Sequence, residues 1–356
     1  MKMSLIEPAL PTDSPAAETG TAAHPFGGAA PRPGWNGETY AALDLGTNNC
    51  RLLVARGFGR GFRVIDAFSR IVRLGEGLAA TGVLSEPAMA RTIEALRVCA
   101  GKVAHRHVTR ARYVATEACR RAANCAEFVE RVRERTGIEI EIISSAEEAR
   151  LVVAGCAPLL DRRVSHAVVF DIGGGSTELV WLGVPRDPRR PVRVEDSLSL
   201  PEGVVTLTDR YGGREVSRAT YDAMVVEMGD ALRPFERRNR IAPLIALGKV
   251  QMLGSSGTVT TLAGIHLALP RYNRARVDGT ALGFDEARAV SERLIALGYE
   301  ARAAHPCIGS DRADLVLAGC AILEAICRLW PVGRLRVADR GIREGILLGL
   351  LGARAQ

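Results

Sequence analysis

Ala167–Trp181 reads AVVFDIGGGSTELVW. An apolar run, Ala167–Phe170, ends in Asp171; Gly173, Gly174, Gly175, Ser176 and Thr177 follow, then Glu178, Leu179, Val180 and Trp181. The pattern predicts strand, glycine turn, strand. Consecutive glycines let several backbone N–H groups point inward together, which builds a nest for an anion. Asp171 at the strand end can hold a metal through oxygen. Glu178, just past the turn, can orient a water or a metal's shell. Anion, divalent cation and water are the parts of phosphoryl transfer. A dinucleotide-binding fingerprint fits less well, because it needs a helix after its glycines, and Thr177–Trp181 is β-branched and apolar. No Gly-Lys-Ser/Thr run exists, which removes a P-loop.

The stretch recurs. Tyr40–Val54 reads YAALDLGTNNCRLLV, and at one constant offset Asp44 falls on Asp171, Gly46 on Gly173, and Leu52-Leu53 on Leu179-Val180. Two copies of apolar strand, Asp-x-Gly, polar turn and apolar strand predict duplicated halves facing each other. Two unrelated glycine hairpins are the plainer alternative, but Asp and Gly match in register.

With 356 residues, 47% hydrophobic and 24% charged, the chain has the composition of a globular protein of about two domains. Formal net charge is +7. Lys2, Lys102 and Lys249 are the lysines, so arginine supplies nearly all the positive charge. Arginine forks suit phosphate oxygens, although codon bias gives the same composition. Aromatic residues, at 5%, are too few for a base-stacking platform. No apolar run is long enough to span a membrane. The cysteines, Cys50, Cys99, Cys119, Cys125, Cys156, Cys307, Cys320 and Cys327, form no Cys-x-x-Cys and read as buried thiols of a cytoplasmic protein. His105 and His107, among arginines and without a carboxylate partner, read as a solvated helix end.

Residues 1–37 are rich in Pro, Ala, Gly, Ser and Thr without periodicity and are expected to be disordered, with no signal peptide. Gly61–Arg73 reads as a strand pair. Ser85-Glu86-Pro87 starts a helix that runs to about Val103. Arg112–Ala115 is a strand, and Thr116 opens a helix with Arg120 one turn in, as an anion partner or as an ordinary surface arginine. Cys125–Thr136 is a helix closed by Gly137. Glu139–Ile143 reads as a strand. Ser144-Ser145 caps a helix whose first turn holds Glu147 and Glu148, which on the residues alone are plain dipole partners. Val192–Leu200 is a strand, Tyr221–Arg240 a helix kinked or broken at Pro234, and Ala242–Leu247 a strand. Gly254-Ser255-Ser256-Gly257-Thr258 is a third glycine-hydroxyl turn, and it opens a helix, Val259–Leu269, whose N-terminus is a further anion seat. Arg271–Gly279 is a basic loop, Phe284–Leu297 a helix, and Asp311–Asp314 opens a helix through Leu329. Arg334–Val337 is a strand, and a last helix spans Ile346–Ala353.

From about residue 40 to 350 the chain resembles the exopolyphosphatase / guanosine-pentaphosphate phosphohydrolase family of the actin–Hsp70–sugar-kinase superfamily. DLGTNNCRLL, ATEACRRAAN, EIISSAEEARL, FDIGGGSTELV, LGSSGTVTTLAG, RADLVLAGCAIL and DRGIREGIL match its segments in order. The resemblance implies an α/β fold of two actin-like, ribonuclease H-like domains with an interdomain cleft. It divides the chain into residues 38–163 and 164–342, with a C-terminal helix, 343–356, packing back on the first. The implied reaction is Mg²⁺-dependent hydrolysis of the terminal phosphoanhydride of polyphosphate or pppGpp, releasing orthophosphate, and the implied partner is polyphosphate or guanosine penta/tetraphosphate. It makes Glu148 the general base for water and Glu178 the second essential glutamate. Asp44, Asp171 and Glu178 would organise the metal. Arg120 would grip phosphates, and Gly46, Thr47, Asn48, Gly173, Gly174, Gly175, Ser176, Thr177, Ser256, Gly257 and Thr258 would cradle them. Asn49 stands where the family usually has serine, and Ser145 where it has glycine. The chain stops near Gly352, short of the helical HD-like region of longer members, which makes it the short two-domain type. A homodimer is left open, and no specific nucleic acid is implied. A kinase or ATPase of the same superfamily is the alternative, and a non-catalytic polyphosphate or (p)ppGpp sensor is another. The carboxylates argue against the sensor, since a pure binder gains nothing from added negative charge near a polyanion.

Overall fold

β1 (Trp35–Leu45) and β2 (Asn49–Phe58) form the first antiparallel hairpin, with Asp44 opposite Arg51, and β3 (Gly61–Ile71) continues the meander. The computed structural model describes residues 35–59 and 61–352. β4 (Arg110–Ala115) lies parallel to β1, and β5 (Glu141–Ile142) parallel to β4. The sheet order is therefore β3-β2-β1-β4-β5.

The second sheet repeats this plan. β6 (His166–Ile172), β7 (Thr177–Gly183) and β8 (Arg193–Leu200) make an antiparallel meander. β9 (Val250–Ser255) lies parallel to β6; β10 (Ala281–Gly283) then pairs antiparallel with the outer edge of β11 (Arg334–Ala338), which lies parallel to β9. Its order, β10-β11-β9-β6-β7-β8, contains the first sheet's connectivity with one strand added. The expected class, α/β in two similarly built halves, is what the chain forms.

Strand parity explains the layering. Residues of a strand alternate between faces. Ala41, Leu43 and Leu45 meet the outer helices Glu86–His105 and Cys125–Thr136 in one core. Val168, Phe170 and Ile172 meet the helices Arg218–Asn239, Gly257–His266 and Val316–Leu329 in another. The opposite faces, Tyr40, Ala42, Leu53, Val169 and Val180, share a third core with the helices Ser145–Cys156 and Ile342–Gly352. That helix pair is a middle layer between the sheets. Both faces of the central strands are thus covered, which is why β6 and β7 read as apolar runs, whereas the outer strands β3 and β8 stay largely exposed. No helix among the described residues is long and apolar enough to cross a membrane.

Several elements differ from the sequence reading. Gly61–Arg73 holds one strand, Gly61–Ile71, not a pair, and Glu139–Ile143 is reduced to Glu141–Ile142. Ala242–Leu247 is not a strand but part of the helix Ile241–Ala246; Pro243 sits in its first turn, where a missing N–H is harmless, and the Ala242 N–H donates to Glu236 at 3.0 Å. The helix Arg218–Asn239 runs unbroken through Pro234. Ser310–Leu315 is a turn, so the following helix starts only at Val316. The last helix begins at Ile342, because the Glu344 carboxylate accepts from the Gly341 N–H at 2.9 Å and caps it. Trp35–Gly37, expected to be disordered, belong to β1; the rest of that expectation lies outside the described residues.

Candidate active site

The two hairpin turns have one geometry. The Gly46 N–H donates to the Asn49 carbonyl and the Gly173 N–H to the Ser176 carbonyl, both at 2.9 Å. The turns press against each other. A Cβ on Gly174 would lie 3.0 Å from the Asn48 backbone nitrogen, and one on Gly175 would lie 2.5 Å from Thr47 Oγ1, so only glycine permits the approach. Between them opens a cavity of about 120 Å³. Asp44, Thr47, Asn48, Gly173–Ser176, Glu148, Asp171 and Glu178 line it. Strand parity puts Asp44 and Arg51 on the same face as Ala42 and Leu53, and Asp171 and Glu178 on the same face as Val169 and Val180, so all four side chains look toward the middle layer.

The third turn closes the cavity from the side. Ser256 caps the helix Gly257–His266, its hydroxyl accepting from the Val259 N–H at 3.0 Å. Ser256, Gly257 and Thr258 line the cavity, so the helix N-terminus faces it. Arg312 Nη1 and Arg51 Nη2 lie 3.7 and 3.8 Å from where a Gly257 side chain would start. Two guanidinium groups and a helix N-terminus therefore converge on one point.

Glu148 lies in the first turn of the helix Ser145–Cys156 and is buried. Its Oε2 accepts from Arg120 Nη1 at 2.7 Å. Burial, reinforced by the charge of Glu178, pushes the Glu148 carboxyl upward against the pull of Arg120. Glu178 is also buried; burial raises it, while Ser176 Oγ and Ser199 Oγ donate to its Oε1 at 2.6 and 3.0 Å and pull it back. Burial and the Glu148 charge push Asp171 up to about 7. Asp44 is raised by burial as well. Four carboxyl groups around one cavity, Glu148 and Glu178 buried and Asp44 and Asp171 partly so, all resist ionisation and make a site that gains from a cation. The donor set is all oxygen, and Asn48 Oδ1 and Asn49 Oδ1 are buried without a hydrogen-bond partner. Hard cations favour such donors. Among the described residues no group of three or more His, Cys, Asp and Glu forms a ready cage.

Beyond Asp44 and Asp171 the cavity continues into a chamber of about 650 Å³, lined by Arg51, Arg274, Arg312, Arg340 and Arg343. Burial lowers Arg312 and Arg343 from the usual arginine range, with the neighbouring Arg51 charge adding to it in both.

Two residues expected in the cradle do not line the cavity. The Thr177 hydroxyl donates to the Glu202 carbonyl at 2.7 Å. Arg120 lies behind Glu148, its guanidinium held by Glu117 at 2.8 and 3.1 Å, Glu148 at 2.7 Å and the Ile143 carbonyl at 3.0 Å. The sequence reading missed Arg51 and Arg312. Arg51 had a signal: it occupies the same place in the first hairpin that Glu178 occupies in the second, opposite the aspartate. Arg312 had one only as the first residue of the family segment RADLVLAGCAIL, and tertiary contacts bring its loop to the cavity.

The profile of the Ppx/GppA phosphatase family matches residues 53–354, and the chain belongs to that family. It is 32% identical over 329 residues to exopolyphosphatase 2 of Mycobacterium tuberculosis, covering 88% of this chain and 98% of that protein. Its fold is similar to the crystal structure of an exopolyphosphatase-like protein, with TM-score 0.79 at 28% identity over 90% of this chain and 99% of the other. The Ppx/GppA family member of Aquifex aeolicus gives TM-score 0.69 at 27% identity, again over 90% and 99%.

Proposed function

We propose that the protein removes the terminal phosphate of inorganic polyphosphate by hydrolysis, with Glu148 as general base. The observation that carries this reading is a buried carboxyl group with a raised proton affinity, fixed by Arg120, at a cavity walled by two backbone-amide turns. A base whose proton affinity lies near working pH is the useful kind. The Gly46 and Gly173 N–H groups close their own turns, and the amides of Thr47–Asn48 and Gly174–Ser176, with the N-terminus at Gly257–Thr258, hold the phosphate oxygens. Glu148 takes a proton from water as the water oxygen bonds to the terminal phosphorus. The phosphoanhydride P–O bond breaks, its electron pair stays on the leaving chain, and orthophosphate is released. Bound Mg²⁺, held through Asp44, Asp171 and Glu178, would neutralise phosphate charge. Arg120, behind Glu148, keeps that carboxylate oriented. In this reading residues 38–163 and 164–342 act as two lobes, with 343–356 returning to the first.

The arginine-lined chamber favours a second substrate. Its volume, about 650 Å³, admits a nucleoside carrying further phosphates, as in pppGpp. A kinase or ATPase would instead require ATP. The test is orthophosphate release from short polyphosphate, long polyphosphate, pppGpp and ATP, each with Mg²⁺ and with chelator. Mg²⁺-dependent release from polyphosphate without nucleotide is expected. Release from ATP alone would sink the reading.

A further inference from the structure

The segment Val72–Gly77, which links β3 to the short helix Leu78–Thr81, lies against the back of the first phosphate turn. The Val72 and Arg73 N–H groups donate to the Asn48 carbonyl at 2.9 and 3.1 Å, and the Gly75 N–H to the Thr47 carbonyl at 2.9 Å. Arg73 has φ +47°, a left-handed conformation that a non-glycine residue rarely adopts. Such conformations persist where surrounding contacts over-determine them, and they cluster at functional sites. Here the contacts are evident. Arg73 donates from both Nη atoms to the Asp314 carboxylate, at 2.9 and 3.0 Å, and Nη2 also reaches the Asp311 carbonyl at 3.2 Å.

Asp311 and Asp314 flank Arg312, which lines both the cavity and the chamber. The same loop is held from its other side. Buried Arg302 donates to the Ala313 carbonyl at 3.3 Å, and the Thr208 hydroxyl to the Asp314 carbonyl at 3.4 Å. The loop is thus anchored to the second half by Arg302 and to the first half's phosphate turn by Arg73. A bidentate arginine–carboxylate pair fixes direction as well as distance. At 31% and 18% side-chain exposure, the pair adds little to global stability. Its effect is geometric.

We propose that Arg73 and Asp314 are positioning residues: they clasp the first phosphate turn to the Arg312 loop and set where Arg312 meets the phosphates of the substrate. The proposal rests on reading the cavity as the phosphoanhydride site. The variants are Arg73→Gln, Asp314→Asn and the charge-reversed pair Arg73→Asp with Asp314→Arg. The readouts are kcat and KM for orthophosphate release from polyphosphate with Mg²⁺, the Tm, and hydrogen exchange of the segments 46–49 and 309–315. Either single variant is expected to raise KM about tenfold, since a small misplacement of a binding group costs up to ~10²-fold. Tm should stay within about 2 °C of wild type, as for a partly exposed pair. Exchange of both segments should rise, and the reversed pair should recover most of the KM. Unchanged exchange overturns the clasp. Raised exchange with unchanged KM overturns the positioning role, as does a reversed pair no better than the singles. Asp314→Asn changes the charge with almost no change of shape, so it carries the test if Arg73→Gln folds poorly. If the wild type releases no orthophosphate, the proposed function fails, and exchange alone then decides the clasp.

Discussion

An acid that must shed its proton in a buried, negatively charged place destabilises the fold that holds it there. Glu148 is raised from 4.5 to about 8 by burial and by Glu178, against Arg120. In the unfolded chain the same group titrates near its ordinary value. The folded state therefore binds this proton more tightly, and the stabilisation that this provides is present below pH 4.5 and lost as pH rises toward about 8. Glu148→Gln keeps the shape and removes the charge. In metal-free protein its Tm should exceed that of wild type by a few degrees at pH 8 and equal it near pH 4.5, as measured by thermal denaturation across that range. A variant no more stable than wild type at pH 8 would show that Glu148 is already neutralised. Little of this was legible in the residues alone, where Glu147 and Glu148 are ordinary first-turn acids. Burial separates them. Glu147 pairs with Arg112 at 3.0 Å in a half-buried position, while Glu148 turns inward to Arg120. That distinction depends on Arg120 approaching from another helix, so periodicity cannot reveal it.

The elements that build the site are the two hairpins, and their turns were legible because the sequence repeats them. Asp44 on Asp171 and Gly46 on Gly173 became the same turn with the same 2.9 Å bond. Their mutual contact was not visible, although it sets the width of the cradle. Gly175→Ala would place a Cβ 2.5 Å from Thr47 Oγ1 and 3.2 Å from its Cγ2. The turns would have to part, and the KM for polyphosphate should rise at least about tenfold. Thr47→Ala removes both clashing atoms, so the double variant should bind better than Gly175→Ala alone. Steady-state kinetics on the three variants checks this, and a double variant worse than either single would contradict it. Elements far from the repeat were read less well. Ile241–Ala246 has no clear period, and Asp311–Asp314 looks like a helix start until Arg73 takes its carboxylate. Those two residues are far apart in the chain, and no local pattern records their meeting.

Across the whole molecule, the two sheets are joined by the helices Ser145–Cys156 and Ile342–Gly352, whose apolar side chains share one core with both. The first of these helices carries Glu148 and the second follows the loop at Asp339–Gly341, so the joint and the site are one construction. Leu347 is fully buried in that core. Leu347→Ala should cost about 2–5 kcal/mol, and both halves should still melt in one transition, since neither sheet keeps its inner face covered without the joint. Calorimetry showing two separated transitions would contradict it. The central claim is that this two-sided cradle binds the phosphate chain while a single carboxylate starts its cleavage. The most direct measurement is orthophosphate release by Glu148→Gln beside its affinity for polyphosphate. The account predicts release lowered by about 10²–10⁴-fold with binding as tight as wild type or tighter. Release at the wild-type rate would contradict it.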